Sequence, residues 1–119
     1  MTVAAIVGDL FKRAPELRPR IRKFSGKPML FLWHVEDMWV WRESNSAGPI
    51  RDMDLPTTDD EARWAICDTL AEALPEGSAL QRIGNNVWRY QYPRAADGIC
   101  ASDRLTCLVA AITAAKERA

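Results

Sequence analysis

The chain has 119 residues, 48% of them hydrophobic and 27% charged, and its 16 basic and 16 acidic residues cancel to a formal net charge of zero. This length suits one domain, 1–119, able to bury roughly two-thirds of its unfolded surface. Zero net charge removes any general attraction to nucleic acid or anionic membranes, so electrostatic recognition has to come from a local patch.

Thr2 to Val7 has no basic residue ahead of its short apolar run, so no export signal is read there and a cytoplasmic location is expected. The uncharged stretch Leu105 to Ala115 is about half of what a membrane-spanning helix requires, and no membrane association is expected.

In chain order, Val3, Ile6, Val7, Leu10 and Ala14 recur at helical spacing, with Thr2 as N-cap and Pro15 as terminator. A basic segment follows, in which Arg18, Arg20, Arg22, Lys23 and Lys27 cluster and Arg20 and Arg22 flank Ile21 on one face of a strand. Ser25-Gly26-Lys27 is turn chemistry. The apolar runs Met29–Val35 and Met38–Glu43, broken only at Glu36-Asp37, read as a hairpin, so that 20–43 forms a three-stranded meander. Asn45 to Pro49 is a loop.

Asp59 to Leu74 is the best-signalled helix, with Thr57 or Thr58 as cap, acidic residues in the first turn, and Pro75 and Gly77 at the end. Its inward stripe is Ala62, Ile66, Leu70, Ala73 and Leu74, which puts Trp64 on the opposite side. Leu80–Ile83 and Val87–Tyr92 bracket Gly84-Asn85-Asn86 as a second hairpin with Trp88, Tyr90 and Tyr92 on one face. A loop through Gly98 leads to a last helix capped by Ser102 or Asp103, with Leu105, Leu108, Val109 and Ile112 as its stripe. The expected fold is α+β: one antiparallel sheet of four to five strands with two or three helices on one face, in the order α-β-β-(β)-α-β-β-α. Two ββα units, 28–74 and 79–118, suggest an internal repeat.

Residues that could carry chemistry are few. His34 is the single imidazole, has no sequence-nominated partner, and is read as a buried or half-buried structural histidine. Cys67, Cys100 and Cys107 match no zinc spacing and are expected as free thiols, with Cys100 in a loop. Asp52 and Asp54 could face one way on an extended segment, but a polar loop before a dipole-matched helix start accounts for them. Glycine-rich phosphate loops and nucleophile elbows do not occur in the sequence. No catalytic residue, cofactor or metal is therefore expected.

Five tryptophans among ten aromatic residues, together with the arginine cluster, match the composition of interface hot spots. The function expected is that of a small non-enzymatic interaction protein that binds another protein, or a second copy of itself, through Arg18, Arg20, Arg22, Lys23 and Trp64. Its most specific form would be an accessory protein of a phage or mobile element that inhibits a host or defence factor. The alternative is a nucleic-acid-binding module that tracks a phosphate backbone with segment 18–27.

Overall fold

A computed structural model of the chain describes residues 2–22, 28–93 and 98–118. Helix α1 (Val3–Arg13) starts where the Thr2 hydroxyl accepts the Ala5 amide at 3.2 Å, and it buries Val3, Val7, Leu10 and Phe11. Ala14 closes it, its amide reaching the Leu10 carbonyl at 2.8 Å, and Pro15–Leu17 makes a single 3-10 turn.

Strands β1 (Arg20–Arg22), β2 (Met29–Val35), β3 (Met38–Arg42) and β4 (Leu55–Thr57) form one antiparallel sheet in that order. Glu36 and Asp37 both have positive φ, 49° and 64°, which is the backbone of a two-residue hairpin whose twist matches the strands. Pairing of Leu32 with Trp41 and of His34 with Trp39 sends these four side chains to one face of the sheet. Val40 and Arg42 face the other way.

Helix α2 (Asp59–Glu72) begins with a capping box: the Glu61 amide donates to the Thr58 hydroxyl at 3.1 Å and the Glu61 carboxylate accepts the Thr58 amide at 3.4 Å. Strands β5 (Ala79–Gly84), β6 (Val87–Gln91) and β7 (Gly98–Ala101) form a second antiparallel sheet, followed by helix α3 (Arg104–Arg118). Asp103 is the α3 cap, taking the Thr106 amide at 3.1 Å and the Thr106 hydroxyl at 2.7 Å.

The α+β class and the element order are as the sequence implies, but the strands divide into two sheets, of four and three strands. Two of them lie where the sequence indicates loop. Strand β4 has Pro56 at its centre, which removes a donor and confines it to a sheet edge, opposite Val40. Strand β7 is short and begins at Gly98, where a Cβ would collide with the Tyr90 carbonyl; only glycine admits the close pairing with β6. The second hairpin differs in detail too. Asn85 and Asn86 are not among the residues with positive φ, and the β5–β6 register slips between Arg82 and Gly84 instead.

The order strand, strand, strand, helix thus occurs twice, as β2-β3-β4-α2 and β5-β6-β7-α3. Helix α3 binds the two halves. Its Leu105, Leu108 and Ile112 enter the main core with Leu10 of α1, Leu32 and Trp39 of the first sheet, and Ile66 and Leu70 of α2. On another side, Cys107 and Ala111 pack with Tyr90 against the second sheet. No helix of the described residues is long and apolar enough to cross a membrane.

Candidate functional site

The arginine cluster does not form one surface. Arg20 and Arg22 are exposed on β1, an edge strand. Arg18 turns inward: its guanidinium lies 3.6 Å from the centroid of the Trp33 ring and 4.9 Å from that of Phe11, and its Nη1 donates to the Leu32 carbonyl at 2.7 Å. Burial pulls the Arg18 pKa down to about 10, and its Nε is buried without a hydrogen-bond partner. Lys23 and Lys27 lie outside the described residues.

Trp64 stands where helical periodicity puts it, on the solvent side of α2, and is 66% exposed. The loop 45–54 does not cover it. Beside Trp64 opens a cavity of about 320 Å³ whose walls come from three elements: Arg63 and Cys67 of α2, Trp88 of β6, and Arg104 and Leu105 of α3. Arg63 reaches the α3 cap, its Nη1 3.5 Å from Asp103 Oδ1, which links the two helix starts across the site. Desolvation raises the Asp103 pKa, but hydrogen bonds from Thr106, the Arg63 charge and the Leu105 amide together outweigh it and leave the carboxyl below its ordinary value, so it stays charged beside Arg63. The sequence shows Trp64 alone. Trp88 and Arg104 join it only because α3 packs between α2 and the second sheet.

His34 is exposed rather than buried. It shares a face with Leu32, but there the helices leave a groove, and the imidazole rests on Trp39 with centroids 4.9 Å apart. That groove, about 470 Å³, runs between α1 and the β2–β3 hairpin; Phe11, Arg18, Trp33 and Trp39 line it with His34. Trp33 is fixed there by donating Nε1 to the Ser44 carbonyl at 3.2 Å.

Cys100 is exposed on β7, not in a loop, whereas Cys67 and Cys107 are buried and burial raises both thiols, making them poor nucleophiles. Asp54 does not join Asp52 in a cation site; it is the partner of Arg42, and the Arg42 hydrogen bond holds its carboxyl below the usual range. Asp59 accepts from Trp39 Nε1 at 3.0 Å. Among the described residues no group of three or more His, Cys, Asp or Glu could hold a metal ion.

Comparison with protein families, with curated proteins and with solved structures finds no match to the chain.

Proposed function

We propose that this chain is a non-enzymatic interaction domain that binds a protein partner through the surface centred on Trp64. The observation that carries the reading is the exposed Trp64 ring beside an apolar cavity shared with Trp88 and edged by Arg63 and Arg104. A ring of that size left in water is a solubility liability unless something covers it. Tryptophan and arginine around a pocket are the residues that dominate interface energetics. The partner that fits presents an apolar side chain to the cavity, with carboxylates placed to meet the two guanidinium groups.

Of the side chains suited to nucleophilic or acid–base chemistry, three are packed into the structure. Two of the three thiols are buried with raised pKa values, and His34 packs on a tryptophan. A nucleic-acid reading would need the arginines in one row, and Arg18 is withdrawn from it by Phe11 and Trp33.

The test compares the wild-type chain with Trp64→Glu, Trp88→Ala and, as an exposed control on β5 that does not line the cavity, Ile83→Glu. Each is used to capture proteins from the source cells, and each is weighed by sedimentation. A partner retained by Ile83→Glu and lost by Trp64→Glu supports the reading. A dimer lost in the same pattern would make that partner a second copy of the chain. Equal capture and equal mass for all variants would overturn it.

A further inference from the structure

We propose that the groove between α1 and the β2–β3 hairpin is a second site, which binds a small aromatic monocarboxylate with its carboxylate on Arg18 and its ring against His34 and Trp39. The volume of about 470 Å³ lies in the range of small-molecule sites. Its walls are mostly apolar and aromatic, so a planar apolar body fits it. The charged residues that line it, Lys12 and Arg18, are both cationic.

Arg18 supplies the strongest argument. It is a half-buried cation held over an indole ring, and no carboxylate lies within ion-pair distance of it among the described residues. Withdrawing a guanidinium from water without a counter-charge is unfavourable, and a bound anion would supply the missing partner. Burial lowers its pKa to about 10, in keeping with its half-buried position. A carboxylate would meet it in the forked geometry that guanidinium groups favour.

Gly8 is the second, independent observation. It lies in the interior of α1, where glycine is less stable than alanine because of its backbone freedom. Neither a positive φ nor a close neighbour requires it: a Cβ added there would meet nothing within 4 Å. What the missing side chain does is leave the helix wall of the groove open.

The adjoining cavity, about 390 Å³, shares Ala4, His34 and Trp39 with the groove and carries Asp37 and Asp59. Those carboxylates repel a second negative group, which is why a monocarboxylate is favoured over an extended dianion.

The experiment titrates the whole chain with benzoate, phenylacetate and 1-naphthoate, and with the neutral phenylacetamide, following amide and indole resonances by NMR. Saturable shifts at Gly8, Trp33 Nε1 and Trp39 Nε1 are expected for at least one carboxylate, with phenylacetamide at least ten-fold weaker than phenylacetate. Gly8→Leu should fill the groove and reduce carboxylate binding at least ten-fold while thermal stability stays equal or rises. Arg18→Met, which keeps the stacking stem but removes the charge, should abolish the preference for acid over amide. Three results overturn the proposal: no saturable carboxylate binding, equal binding of acid and amide, or wild-type affinity in Gly8→Leu. Saturable binding of a Glu-Phe dipeptide amide with no response to the free acids would also overturn it, in favour of peptide docking.

Discussion

Arg42 and Asp54 form a two-pronged buried ion pair, with Nε donating to Oδ1 at 2.9 Å and Nη2 to Oδ2 at 2.7 Å behind side-chain exposures of 1% and 3%. The remaining guanidinium donors are taken by backbone carbonyls: Nη1 reaches Ser46 and Gly48 at 3.2 and 3.3 Å, and Nη2 also reaches Pro49 at 2.9 Å. Asp54 in turn accepts the Arg51 amide at 2.8 Å. One arginine thus organises the whole connection from β3 to β4 and closes the side of β3 that faces away from the helices.

Removing Arg42 should therefore leave a buried carboxylate and three carbonyls without partners. Arg42→Ala is expected to destabilise the fold by about 3 kcal/mol, read as a lower midpoint in urea unfolding. Limited proteolysis should then cut first between residues 43 and 54. An unchanged midpoint would show that the loop holds its shape without the pair.

The same pair makes stability depend on acid. Hydrogen bonding from Arg42 depresses the folded pKa of Asp54 below its unfolded value, so the contribution is present above the unfolded value and is lost as pH falls through the folded one. Urea midpoints should be flat from about pH 7 to about pH 5 and fall below that. Asp54→Asn should be less stable at neutral pH and show a shallower acid slope, and an identical slope in both proteins would contradict this account.

Gly8→Ala isolates the helix term from any ligand. With open space at the Cβ position, the substitution should raise stability by about 0.5–1 kcal/mol, measured by chemical unfolding. A loss of stability would show that α1 needs glycine for a contact or a bend.

Trp64→Glu should unfold within about 0.5 kcal/mol of the wild type, because the ring is 66% exposed and its loss removes little packing. Tyr90→Ala is the contrast. That ring is fully buried in the second cluster and its hydroxyl lies 2.9 Å from Ser78 Oγ, so a loss of about 3 kcal/mol or more is expected from the same measurement.

Thiol labelling under native conditions should modify Cys100 quickly and leave Cys67 and Cys107, whose thiols are buried and raised, for the denatured chain. Mass spectrometry would show one adduct before unfolding and three after it; fast native labelling at all three positions would mean that the core opens locally.

Local signals in the sequence settled the helices and the two hairpins. Thr2, Thr58 and Asp103 offer side-chain oxygens to amides only a few residues away, and the apolar spacing of α1 and α2 needs nothing beyond the helix itself to be read. The outward position of Trp64 follows from the same 3.6-residue period. The partition into two sheets was decided by tertiary structure, because Pro56 and Gly98 carry poor strand propensity and their strands exist only through pairing with β3 and β6. Nothing local to Arg42 signals its burial; the partner that pairs its charge, Asp54, arrives only with the return of the chain. Arg18 looked like one of a surface row until Phe11 and Trp33, from two different elements, closed on it. Periodicity reports which side of an element faces inward; which distant residues meet there depends on packing between elements, and both proposed sites are built from such meetings.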